Sequence, residues 1–124
     1  MTVESAYRAY TALNNISFKT MPAKTAYKVS RLCSALKGDA EFYTERLTQI
    51  IDQYGEKDDK GEPIINGNGC SIQKDKIDDC ANAIRELREI EAAVVDIKIN
   101  LSELENIELS PNDIAAIYDF IEED

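Results

Sequence analysis

Apolar residues along this chain recur first at a helical period, then at an alternating one, then at a helical one again. Each change of period predicts a change of element. Val3, Ala6, Tyr7, Tyr10 and Leu13 fall at helical spacing, and Asn14 and Asn15 predict the end of that helix. Thr20, Met21 and Pro22 predict the next start, with proline at the first helical position, where its missing N–H loses no bond. From there a stripe of three- and four-residue steps runs through Val29, Leu32, Cys33, Leu36, Ala40, Tyr43, Leu47, Ile50, Ile51 and Tyr54. Gly55 predicts the stop, as the usual residue of a left-handed C-terminal position. An unbroken helix of that length spans roughly 50 Å, whereas a compact chain of this size has a radius of gyration of about 14 Å. The helix therefore either breaks at Gly38, with Asp39 permitting a corner, or projects and needs a partner such as an antiparallel copy in a homodimer.

Beyond Gly55 the punctuation changes. Two β-prone pieces, around Pro63–Ile65 and Cys70–Gln73, flank Asn66-Gly67-Asn68-Gly69, and Asn-Gly accepts the positive φ of a hairpin turn. A third helix is expected near Asp75, with Ile77, Cys80, Ala81, Ile84 and Leu87 on one face. Val95, Ile97 and Ile99 then alternate with Val94, Asp96 and Lys98, a half-buried strand expected to join the hairpin in a small antiparallel sheet. Leu101, Leu104 and Ile107 suggest a short turn packed on the core. Ser110, Pro111 and Asp113 approach a capping box, after which Ile114, Ile117, Tyr118 and Ile121 form the expected buried face of a last helix. The fold class predicted is a helix-rich α+β domain of four to five helices, with a hairpin plus one strand as its sheet.

A chain of 124 residues fits one domain. Its expected parts are 1–20 (helix and linker), 21–55 (long helix), 56–100 (hairpin, helix, strand) and 101–124 (acidic helical segment). No apolar run is long enough to span a bilayer, and the N-terminal residues lack the basic flank and apolar block of a secretory signal. A cytoplasmic location is expected. The net charge of −10 is unevenly spread: residues 1–37 carry a net +5, and residues 38–124 a net −15. From Asn100 onward there are eight carboxylates and no basic side chain. Such asymmetry bears on partners rather than on fold.

The chain has no histidine, which removes the commonest general base, the commonest metal ligand and every Ser-His or Cys-His nucleophile pair. Setting Gly61 at the glycine of a calcium-binding loop puts Glu56, Asp58 and Lys60 at the first, third and fifth positions and Gly67 at the twelfth. Lysine is wrong at the fifth, and a bidentate glutamate is missing at the twelfth. The Asn-Gly-Asn-Gly stretch lacks the lysine and hydroxyl residue of a phosphate loop. No cofactor, metal site or catalytic residue is expected, and the chain reads as a non-enzyme. Cys33, Cys70 and Cys80 are expected to be free thiols, Cys33 and Cys80 as small hydrophobes and Cys70 as the reactive one.

Two surface features remain. Lys24, Lys28 and Arg31 share a helical face near Lys19, either as a solvated face or as a patch for phosphate or an acidic partner. Aromatic interleaving there is thin, so nucleic acid is not favoured. The second feature is the acidic end, Glu122, Glu123 and Asp124, expected as a frayed solubilising tail or as a decoy surface for a basic groove on another protein.

Three stretches, YGEKDDKGEPI (Tyr54–Ile64), ELREIEAAVVDIKI (Glu86–Ile99) and LSPNDIAAI (Leu109–Ile117), together resemble short proteins of unknown function encoded by bacteriophages and prophages of Gram-positive bacteria. The resemblance covers roughly Met21 to Glu122 and brings no catalytic residues. It implies a phage accessory protein in the cytoplasm of a bacterial host. Three functions compete. The first is inhibition or modulation of a host protein, such as a defence component, through Lys24, Lys28, Arg31, Glu122, Glu123 and Asp124. The second is an oligomeric sponge that holds a nucleotide signal between subunits through Lys28, Arg31 and Arg46, with Tyr43 stacked on the base. The third is a virion-assembly factor. The first, in a chain that is also a homodimer, is the expectation taken forward.

Overall fold

The computed structural model describes residues 1–62, 64–66 and 69–123, with backbone alone at 65, 66, 69 and 70. Four α-helices run among these residues: α1 (Val3–Ser17), α2 (Ala23–Tyr54), α3 (Ile77–Arg88) and α4 (Pro111–Ile117). Thr2 opens α1, its Oγ1 accepting from Ser5 N–H at 3.2 Å. The helix passes straight through Asn14 and Asn15, because Leu13 and Ile16 on either side are fully buried. Asparagine costs only about half a kcal/mol against alanine in a helix, and burying Ile16 gains several times that.

The long helix does not break. α2 is continuous for 32 residues through Gly38, and it does not project bare either. Its inner face is covered along its length by two apolar clusters. Val29, Leu32 and Leu36 pack with Leu13, Ile16, Ile99, Leu104, Ile117 and Phe120. Tyr43 and Ile50 pack with Val3, Cys80 and Leu87. α1, α3 and the C-terminal segment supply that cover. Asp39, instead of making a corner, accepts the N–H of Ala93 through Oδ2 at 3.1 Å and pins a strap over the helix. A second carboxylate joins three helices: Glu4 meets Arg88 at 2.7 Å and Arg8 at 3.1 Å, and Tyr43 donates to it at 3.5 Å.

Two helix-boundary expectations shift. Pro22 is the residue before α2 rather than its first residue. Gly55 ends α2 with extended geometry (φ −73°, ψ 151°), not left-handed. Glycine is required there for space, because a Cβ would lie 2.6 Å from the Ile51 carbonyl oxygen. Positive φ belongs to Gly61, at +79°.

The sheet also differs from the expected one. β1 (Ile65–Asn66) and β2 (Gly69–Cys70) pair antiparallel, with Ile65 opposite Cys70. The turn residues Gly67 and Asn68, and Pro63, lie outside the described residues, as does the side chain of Cys70 on which its expected reactivity rests. The third strand never joins this pair. β3 (Ile99–Asn100) pairs instead with β4 (Ile121–Glu122), and in parallel. Residues 92–98 belong to no ladder, although Val95 and Ile97 pack against the core. The alternation therefore reports a chain lying on apolar surface rather than a paired strand.

In α3, Cys80 and Leu87 are buried, whereas Ile77 and Ala81 are exposed. Cys33 is half-buried, and burial raises the pKa of both Cys33 and Cys80 above the ordinary thiol value. At the C-terminal end, α4 stops at Ile117 and tightens into a 3-10 turn, Tyr118–Phe120. With three residues per turn the next inward position after Ile117 is Phe120, not Ile121. Accordingly Phe120 is buried, Tyr118 is 71% exposed and Ile114 is 41% exposed, which corrects the expected buried face. Phe120→Ala is expected to lower stability by about 3–5 kcal/mol, and Tyr118→Ala by about 0.5 kcal/mol or less. Urea unfolding of the two variants measures the difference.

A candidate protein-binding surface

The acidic segment that begins at Asn100 is held in place by one of its own carboxylates. Glu103, in the 3-10 turn Leu101–Leu104, faces inward and forms an ion pair with Lys28 of α2. Its second oxygen accepts from the buried Thr25 hydroxyl at 3.2 Å. The Lys28 hydrogen bond holds the Glu103 carboxyl below the usual glutamate range, against the desolvation that would raise it. Ser110 then caps α4, its Oγ accepting from Asp113 N–H at 3.1 Å, as the sequence predicts. Lys19 and Lys98 reach the surface of this region but donate to the carbonyl oxygens of Glu108 and Asp119. The side chains of Glu105, Glu108, Asp119, Glu122 and Glu123 remain exposed.

Within this acidic region lies an apolar pocket of about 150 Å³. Leu101, Leu104, Ile107, Leu109, Ile114 and Ile121 line it together with Glu105. It is a half-open pocket whose lining suits an apolar side chain. Leu101 is 48% exposed at its edge and stays in reach of an incoming side chain, as does Ile114. Glu108 and Glu122 directly follow lining residues in the chain, so carboxylates accompany the apolar lining. The arrangement suits an apolar anchor with basic neighbours, a combination that gains contact area from the pocket and orientation from the charges. Larger openings elsewhere on the described surface include two of about 500 and 530 Å³, open to solvent to much the same degree. The first runs between α1 and α4, past Arg8, Thr11, Asn15 and Asp119. The second, at the α1–α2 turn, is lined by Lys19, Met21 and Cys33 among others.

The residues singled out from sequence are dispersed. Lys24 is exposed, Lys28 is committed to Glu103, and the Arg31 guanidinium lies 5.9 Å from the centroid of the Tyr27 ring. Arg46 donates to Gln49 at 3.1 Å. It sits 18 residues beyond Lys28 on the same rod, roughly 27 Å away. Tyr43 is buried against Tyr7 with ring centroids 5.2 Å apart, so it offers no stacking face. Lys28, Arg31, Arg46 and Tyr43 thus form no site within one chain. Glu122 and Glu123 are exposed, with Glu122 held by its backbone in β4, so the segment is not frayed up to that point. Asp124 lies outside the described residues. The pocket itself was missed from sequence, although its signal is present: four apolar residues at 101, 104, 107 and 109 interleave with Glu103, Glu105 and Glu108.

Asp58, tried above as a calcium ligand, accepts the N–H groups of Lys60 and Glu62 at 2.9 and 3.0 Å and shapes a turn. Among the described residues no cluster of three or more Cys, Asp or Glu side chains is grouped as metal ligands would be. Among them, too, no helix is long and apolar enough to cross a membrane. Comparison with protein-family models, with curated proteins and with solved structures finds no match for this chain.

Glu103 has a lower pKa folded than unfolded, so its contribution is fully present above the ordinary glutamate pKa of about 4.3. That contribution is lost as pH falls through the depressed folded value. Glu103→Gln is expected to cost about 1–2 kcal/mol at neutral pH. In chemical denaturation at a series of pH values, the gap to wild type should narrow below about pH 4.

Proposed function

We propose that this chain is a non-enzymatic accessory protein of phage or prophage origin that works by stoichiometric binding in the bacterial cytoplasm. Its target is a host protein, with a defence component as the favoured class, and the consequence of binding is inhibition or modulation. The observation that carries the reading is the apolar pocket at Leu101, Leu104, Ile107, Leu109, Ile114 and Ile121, set in a segment whose charged side chains are all carboxylates. A partner segment with one large apolar side chain flanked by Lys or Arg fits it. The resemblance of three stretches to phage-encoded proteins supports the biological setting. The anchored position of Glu122 in β4 supports a decoy role for the acidic end, because fixed charges complement a groove at lower entropic cost than mobile ones.

Affinity capture from lysate of a Gram-positive host, followed by titration of the captured protein, tests the proposal. Wild type should bind one partner saturably, and binding should weaken as salt is raised. Leu101→Asp and Ile114→Asp change exposed residues and should leave the fold intact while weakening binding about tenfold or more. Glu122→Gln with Glu123→Gln should slow association with a smaller loss of affinity. Binding indifferent to both pocket variants would remove the pocket from the account.

A further inference from the structure

We infer that the outer face of α2 pairs with the same face of a second copy of this chain, antiparallel and centred on Gly38. This goes beyond the proposed host-protein contact and uses a different surface. The face is exposed and continuous along the rod: Lys24, Tyr27, Arg31, Ser34, Gly38, Phe42, Glu45, Gln49 and Asp52 lie within about 40° of the Gly38 direction at 100° per residue. Tyr27 is 66% exposed and Phe42 is 44% exposed. Charge divides the face at Gly38, with Lys24 and Arg31 on the N-terminal side and Glu45 and Asp52 on the C-terminal side.

That division is self-complementary. With Gly38 on a two-fold axis, positions equally distant from it meet across the interface. Arg31 then faces Glu45 of the second copy, Lys24 faces Asp52, and Phe42 faces the small Ser34 beside Ala35 and Gly38. Each pairing occurs twice, as an isologous interface requires. A parallel arrangement would instead set Arg31 on Arg31 and Glu45 on Glu45, which costs affinity. The overlap from Lys24 to Asp52 is roughly 42 Å long. Arg31 is already ordered over the Tyr27 ring, and a planar guanidinium stacked on one face still donates through its edge.

Gly38 is the independent sign. Glycine inside a helix costs about 1 kcal/mol relative to alanine. Its backbone here is helical, and an added Cβ would meet nothing within 4 Å. Among the described residues no contact calls for a glycine at this exposed central position. Close approach of a second helix does, because a side chain at the crossing point would hold the two backbones apart.

Sedimentation equilibrium of the full chain at low salt, up to about 100 µM, tests the inference. A dimer is expected, weakened about tenfold or more by Arg31→Glu and likewise by Gly38→Leu. The double change Arg31→Glu with Glu45→Arg should restore wild-type affinity to within about threefold. Circular dichroism should show both single variants folded, since leucine is the better helix former and Arg31 is exposed. A chain that stays monomeric, a dimer indifferent to Arg31→Glu, or a loss that the double change does not restore would each overturn it.

Discussion

Everything in this fold depends on the burial of one face of α2. A 32-residue helix is too long for a domain of this size to enclose, so the chain covers it in two instalments. The C-terminal end of α1, the strap after α3 and the acidic C-terminal segment cover its first half, and the start of α1 with α3 covers its second. Leu32 and Leu36 at one end, and Ile50 at the other, are essentially inaccessible to water. The apolar area removed along that face outweighs the modest penalty of a mid-helix glycine. The rod then fixes what the remaining elements must do.

Two carboxylates tie the outlying parts to it. Glu4 joins α1 to α3 through Arg88 and touches α2 through the Tyr43 hydroxyl. Glu103 joins the acidic C-terminal segment to α2 through Lys28 and Thr25. The second tie bears on function. Glu103 is the carboxylate of that segment turned toward α2, and Lys28 supplies its counter-charge. Once anchored, that segment presents an apolar pocket and fixed negative charge together. On the opposite side the same rod separates basic from acidic residues about Gly38. Two surfaces of different chemistry thus follow from one helix.

Much of the fold was legible in the chain. The α2 stripe, the Ser110 cap, the hairpin at Asn66 and the core positions Val29, Leu32, Leu36 and Ile117 follow from period and turn chemistry. What was not legible has specific causes. Local residues such as Asn14, Asn15 and Gly38 act at tenths to one kcal/mol, and tertiary burial overrides them. Val95, Ile97 and Ile99 alternate because one side of the strap is buried, and the sequence pattern is the same whether or not a ladder forms. The move from α-helix to 3-10 turn at Tyr118 rotates the register by a fraction of a turn, enough to exchange Tyr118 for Phe120 in the core. The basic face read as a binding patch lost its central member because Lys28 answers a partly buried carboxylate 75 residues away, a pairing that no local pattern announces.

The most direct test of this account is native-state hydrogen exchange along α2, read residue by residue. If the helix is one rod buried end to end, the amides of Leu36, Ala40 and Tyr43 exchange only through global unfolding, with the same free energy as those of Leu32 and Ile50. Faster exchange confined to the turn around Gly38, with the two flanking halves opening at different free energies, would contradict it.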